Sequence, residues 1–176
     1  MIVTYPAGER VDLNTGLRPQ QVHLSDIAHA LSLICRYGGH CREHYSVAQH
    51  SCLLSNDLQS IDRRLATTAL LHDASEAYIG DIIKDVKHSN RVQGLVQLET
   101  EVQTVIYRRF GLAPTSQDLV IIKHKELGLV ARERFSFCLS RPEFPMDVYD
   151  KAIIKPWSSP HAQYMFLELC TMYELL

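Results

Sequence analysis

The stretch from Ala69 to Asp81, ALLHDASEAYIGD, constrains the fold more than any other part of the chain. Small and apolar residues run up to the adjacent His72-Asp73 pair, Glu76 follows three positions on, and Gly80-Asp81 closes the segment. Such groups are costly to bury in an apolar helix unless something pairs them. On one continuous helix Asp73 and Glu76 are i and i+3, and His72 and Glu76 are i and i+4, so all three project to one side. Imidazole and carboxylate together suit a divalent metal ion, and a carboxylate left off the metal can move protons. A chain organised on this stretch has to wrap further helices around it and draw more ligands from them. The expectation is a metal-dependent hydrolase.

The remaining pattern supplies those helices. Residues Met1 to Leu24 read as a short hairpin or extended arm around Pro6 and Gly8. Ser25 is placed to cap a helix carrying Ile27, Ala28, Leu31 and Ile34, which Gly38-Gly39 stops. Ser46-Val47-Ala48-Gln49 has the form of a capping box and puts His50 early in a second helix, to about Leu58. A third helix runs from near Asp62 through the His72-Asp73 pair to Gly80, and Asp81 to Asn90 reads as a polar loop. An amphipathic helix is expected over Arg91 to Phe110, another from Thr115 through Ala131, and a last from Ser159-Pro160 to about Glu174. Arg141 to Ser158, with three prolines and the only tryptophan, reads as a covering loop. The fold class expected is an all-α bundle with a short non-helical N-terminal arm, as one domain over residues 1–176.

Charge narrows the function classes. A formal net charge of -2 offers no broad face for a nucleic-acid polymer, although local basic groups can hold one small phosphorylated ligand. The five cysteines show no CxxC spacing and read as reduced thiols. With no signal-peptide pattern and no apolar run of membrane-spanning length, a cytoplasmic protein with no membrane partner is expected.

The motifs Tyr45-Ser46-Val47-Ala48-Gln49-His50-Ser51, Leu70 to Tyr78 around His72-Asp73, and Gly80-Asp81 resemble the HD-domain metal-dependent phosphohydrolases. The likeness is nearest to the branch of bacterial 5'-deoxynucleotidases and phage dATP triphosphohydrolases. It extends to Asp26 through Leu31, to Ile34 through His40, and to Lys155-Pro156-Trp157. The resemblance implies an HD helical bundle whose metal is held by His50, His72, Asp73 and an Asp from a later helix. Where that Asp is expected this chain has Glu126, within Lys123-His124-Lys125-Glu126 and ahead of Glu133-Arg134. Glu126 as fourth ligand, or a shell completed by water, His124 or Asp118, both stay open.

The resemblance further implies Glu76 as catalytic acid or base and Asp81 as the residue that recognises the deoxyribose hydroxyl. Arg36 matches a phosphate-binding arginine, a role suited to the paired donors of guanidinium. Tyr37 stands at an aromatic position suited to stacking on a base, and His40, His44, Lys84 and Lys87 are candidates for phosphate contact. Cobalt, manganese, zinc or magnesium is the implied cofactor, with a second ion on the substrate phosphates a further expectation. The implied activity is hydrolysis of deoxynucleotide 5'-phosphoesters, either a dNTP to deoxynucleoside and triphosphate or a dNMP to deoxynucleoside and phosphate, by a homodimer or homohexamer. The alternative is a non-catalytic nucleotide-binding or assembly protein with a degraded HD metal site.

Overall fold

A computed structural model describes residues 1–138 and 153–176. The expected covering loop over Arg141 to Ser158 thus lies largely outside the described residues. The N-terminal arm is a two-stranded antiparallel hairpin, β1 (Ile2–Val3) on β2 (Arg10–Val11), with Ile2 opposite Val11. All other regular structure among the described residues is helical: α1 (Leu24–Leu33), α2 (Val47–Gln59), α3 (Arg63–Leu70), α4 (Glu76–Ile79), α5 (Lys84–Lys87), α6 (Leu95–Arg109), α7 (Ser116–Glu133) and α8 (Ser159–Met172), with single turns between. The all-α expectation with its hairpin arm holds.

α2 is the central element, packing against α1, α3, α7 and α8. Its apolar side chains Val47, Ala48, Leu54 and Leu58 are fully buried, and His50 is buried among them. Leu70, Leu71 and Ala74 bring the chain around the His72-Asp73 motif into the same core, while Phe166 and Cys170 close it from α8. No helix of the described residues is long and apolar enough to cross a membrane.

Several boundaries differ from expectation for local reasons. α1 starts after His23 rather than at a Ser25 cap. Ser46 does cap α2, its hydroxyl accepting from the Gln49 amide at 3.1 Å. The Gln49 side chain does not return to the cap. It bonds the Lys155 carbonyl at 2.7 Å and accepts from the Trp157 amide at 2.8 Å, pinning the segment before α8 onto α2. α7 has a full capping box, with Thr115 and Asp118 bonding each other's backbone amides. The polar loop after Gly80 contains the short helix α5, and the long amphipathic helix begins at Leu95, four residues later than expected. α8 is capped by Ser158, one residue earlier than expected.

The most consequential difference lies in the organising stretch. The expected continuous helix ends at Leu70, and α4 starts at Glu76. Residues 71–75 form successive tight turns, closed by Ala74 N–H to Leu71 O at 3.2 Å and Glu76 N–H to Asp73 O at 3.0 Å. Two long-range side-chain bonds compensate for the lost helical ladder. Gln103 of α6 donates to the Leu71 carbonyl at 2.7 Å and accepts from the Ser75 amide at 3.0 Å. One amide side chain therefore clamps both ends of the turn, satisfying groups that are otherwise expensive to bury.

Candidate metal centre and its surroundings

The turn between α3 and α4 aims His72 and Asp73 at His50 on α2. The Nε2 atoms of His50 and His72 are 3.3 Å apart, and Asp73 Oδ2 is 3.1 Å from His72 Nε2 and 3.6 Å from His50 Nε2. Among the described residues these three form the group with metal-ligand geometry. Edges of this size are what ligands at roughly 2.0–2.2 Å from one ion present to each other.

The other ring nitrogens establish what converges there. His72 Nδ1 faces the Ala69 carbonyl at 2.7 Å, which can only accept, so Nδ1 carries the proton. His50 Nδ1 faces Glu133 Oε1 at 2.5 Å, again an acceptor. With each Nδ1 engaged from behind, both Nε2 atoms face inward and can offer lone pairs to a cation, while His72 Nε2 at 3.1 Å from Asp73 Oδ2 can instead carry a proton shared with that carboxylate. Three such atoms in contact fit a cation. An acceptor behind each ligating histidine is also the usual support of a metal-bound imidazole.

Glu133 links this centre to the segment that carries Arg36 and Tyr37. Its carboxylate is fully buried and accepts from His50, from the Tyr45 hydroxyl at 2.7 Å and from the Tyr37 hydroxyl at 2.6 Å, with Arg36 Nη2 at 3.3 Å. Burial works to raise its pKa, but His50, Arg36 and Tyr37 outweigh that and bring it down from 4.5 to about 2. The sequence reading placed Glu133 only in a motif and gave it no role. Its partners Tyr45 and Tyr37 lie 88 and 96 residues away, so the hub was not visible locally. The one available signal was spacing, since Glu133 is two helical turns beyond Glu126 on the same helix.

Arg36 begins a short 3-10 turn over Arg36–Gly39 and is itself buried. Its Nη1 lies 3.4 Å from Asp73 Oδ2, so the guanidinium spans Asp73 and Glu133. Tyr37 and Gly38 are both left-handed, with φ of 59° each. At Gly38 the left-handed φ favours glycine, and a side chain there would press on Ile83 Cδ1 at 3.0 Å. The Tyr37 conformation costs about 1 kcal/mol or more, offset by the hydroxyl bond to Glu133.

Glu76 is buried, and its Oε2 finds no hydrogen-bond partner among the described residues. Burial, then the neighbouring charges of Asp73 and Asp81, push its carboxyl up to about 10. Asp81 is half-buried after Gly80 and is raised by burial and Asp73, against the pull of Arg36 and Lys87. Burial alone would lower the Lys87 ammonium, but its 2.6 Å bond to Glu99 of α6 raises it, and Glu76 and Asp73 act in the same direction. Burial disfavours the charge on Asp73, yet His72, His50 and Arg36 hold it well below the usual carboxylate range. His50 is lowered by burial and Arg36. His72 is raised despite burial, chiefly by Asp73 and more weakly by Glu126.

Other sequence candidates lie further out. Glu126 is close enough for its charge to act on His72, but it stands outside the three-ligand group, and its Oε2 accepts from Lys123 at 2.7 Å. Asp118 is engaged with Arg64 at 2.5 and 2.8 Å as well as with its cap, and His124 is exposed. His44 turns toward the Ser32 carbonyl at 3.2 Å and Ser159 Oγ at 3.4 Å. His40 and Lys84 are exposed.

Comparison with known proteins follows the same lines. The family described as 5'-deoxynucleotidase YfbR-like matches residues 24–111, which hold His50, His72, Asp73, Glu76 and Asp81. The chain belongs to this YfbR-like family. It is thereby a member of an HD-type hydrolase family, as the motif resemblance implied. The Escherichia coli protein YfdR, itself described as uncharacterized, is 32% identical over 157 residues, covering 86% of this chain and 84% of YfdR. An uncharacterized Rhodobacter capsulatus protein is 36% identical over 112 residues, covering 60% of this chain and 56% of that protein.

Proposed function

We propose that this protein hydrolyses the phosphoester of deoxynucleoside 5'-monophosphates with a divalent metal ion, as a single HD domain over residues 1–176. The observation that carries the reading is the convergence of two imidazole Nε2 atoms and a carboxylate oxygen, with an acceptor behind each imidazole. The family's description as a 5'-deoxynucleotidase supports the ester class.

His50, His72 and Asp73 would hold the ion, with Glu126 available as a fourth ligand if its carboxylate left Lys123. A divalent ion held there would supply polarisation of a phosphoryl oxygen and a lowered pKa for water. The chain's own residues do the rest. Arg36 exchanges part of its pairing with Asp73 for the phosphate. Glu76, protonated at neutral pH through burial and its acidic neighbours, gives its proton to the departing 5'-oxygen. Asp81 accepts from the deoxyribose hydroxyl, and Tyr37 presents its ring to the base.

The monophosphate is favoured over the triphosphate by the distribution of positive charge. Lys87 is paired with Glu99, His44 faces Ser32, and Lys84 is exposed, so among the described residues these candidates gather little unpaired cationic charge at the centre for two further phosphates. The test is incubation with cobalt, manganese, magnesium or zinc and a panel of dNMPs, NMPs and dNTPs, identifying the phosphate species released. Inorganic phosphate from dNMPs is expected. Triphosphate release from a dNTP would move the assignment to a dATP-type triphosphohydrolase. Nucleotide binding without turnover under any metal would reduce the chain to a nucleotide-binding protein.

A further inference from the structure

Beside the metal centre, and unused by it, two cysteines bracket the loop that carries Arg36 and Tyr37. Cys35 Sγ and Cys41 Sγ are 3.4 Å apart, with Arg36 to His40 between them in sequence. Both are half-buried, whereas Cys52 and Cys170 are sealed in the core.

The backbone holds the pair in place from both sides. Cys35 pairs with Ser46 as an isolated bridge, and the next amide, Arg36 N–H, bonds the Tyr45 carbonyl at 2.9 Å. On the other side, Arg42 N–H bonds the Phe137 carbonyl at 2.9 Å, and Arg42 Nη2 bonds the carbonyls of Ser136 and Phe135 at 2.7 and 3.2 Å. The excursion between these anchors is the short glycine-rich turn, so its two ends stay juxtaposed. A disulfide needs the sulfurs at about 2.0 Å, about 1.4 Å closer than the 3.4 Å at which they stand.

We propose that Cys35 and Cys41 form a peroxide-sensitive dithiol whose oxidation closes the Arg36–His40 loop into a covalent ring. One sulfur, as thiolate, attacks a peroxide oxygen and breaks the O–O bond. It becomes a sulfenic acid, and the departing oxygen leaves as water after taking a proton. The second sulfur then attacks the sulfenic sulfur and displaces hydroxide, which becomes a second water with the remaining proton. The two thiols lose two electrons and two protons, and the peroxide takes up both. Burial and the adjacent Cys35 push the Cys41 thiol up to about 11, so Cys41 rests as a thiol at neutral pH. Neither cysteine is in a disulfide, so the resting pair is reduced and an oxidant has to drive the change.

The ring encloses residues that reach the centre, since Arg36 contacts Asp73 and Glu133 and Tyr37 bonds Glu133. Its formation is a covalent event read by mass, so its outcome is separate from that of the hydrolase reading. The full chain is treated with hydrogen peroxide, free thiols are alkylated, and tryptic peptides are mapped. Trypsin cuts after Arg36, between the cysteines, so the product appears as two peptides joined through Cys35 and Cys41. Formation at least tenfold faster in folded than in urea-unfolded protein, reversal by dithiothreitol, and loss of the cross-link in both C35S and C41S are expected. In the oxidised protein, amides of residues 36–40 should exchange hydrogen more slowly. Separate, alkylatable Cys35 and Cys41 while the half-buried Cys138 oxidises would overturn the proposal, as would equal rates in folded and unfolded chains.

Discussion

Replacing Glu133 with Gln tests the organisation of the site most directly, because it changes one oxygen to an amide and leaves the shape almost untouched. In the native chain Oε1 accepts from His50 and Tyr45, and Oε2 accepts from Tyr37 while facing Arg36. The amide keeps one acceptor for His50 and Tyr45. It presents N–H groups to the Tyr37 hydroxyl and to a guanidinium that can only donate. Arg36 is then left with Asp73 as its charged partner and competes harder with a metal ion for that carboxylate. His50 loses the anionic acceptor that makes its Nε2 a stronger base. Loss of such support behind a ligating histidine costs about 10–100-fold in metal affinity, or about 1.4–2.7 kcal/mol. The assay is titration of chelator-stripped protein with cobalt, followed by absorption and calorimetry, with circular dichroism to confirm that the helices persist. A dissociation constant within twofold of wild type in a folded E133Q protein would refute the role given to Glu133. The same variant has an acid signature. The folded carboxyl lies near 2 and the unfolded one near 4.5, so its stabilisation is complete above the unfolded value and is lost as pH falls through 4.5 toward 2. The metal-free wild type should lose up to about 3 kcal/mol from this group across that window, and E133Q should show a flatter profile.

Substitutions at four other positions separate holding the metal, moving protons and shaping the turn. Gln103→Ala removes both bonds to the HD turn and should destabilise the protein by about 1–3 kcal/mol in urea unfolding; an unchanged midpoint would mean that water replaces the clamp at no cost. Glu76→Gln should leave metal affinity intact and lower the turnover number by about 10²–10⁴-fold, measured on the substrate found active in the nucleotide panel. Rates close to wild type would take proton transfer away from Glu76. Glu126→Asp should hold or improve metal affinity if this position supplies the fourth ligand, and Lys123→Met should improve it by releasing Glu126. If neither moves the cobalt titration while Glu126→Ala also binds normally, Glu126 is a surface partner of Lys123 alone.

The sequence pattern and the folded site part company where side chains override the backbone ladder. Helical periodicity located α2, α6, α7 and α8 because their buried sets recur within a few residues, and each has a local cap or stop. The same reasoning extended α3 straight through His72 and Asp73, since nothing local between Leu70 and Gly80 breaks a helix. The break comes from His72 Nδ1 taking the Ala69 carbonyl and from Gln103, about thirty residues downstream in the chain, taking Leu71 and Ser75. Neither bond has a signature in a window of ten or fifteen residues. The consequence is functional, because the helical i and i+4 relation first inferred for His72 and Glu76 does not place them. The turn directs His72 and Asp73 toward α2, while Glu76 opens a new helix and stays buried beside Asp73 and Asp81. The proposed ligands and the proposed proton carrier thus lie on either side of a turn that Gln103 of α6 clamps. A change on α6 that touches no ligand, at Gln103 for one end of the turn or at Glu99 for Lys87, should alter the site as surely as a change in the motif itself.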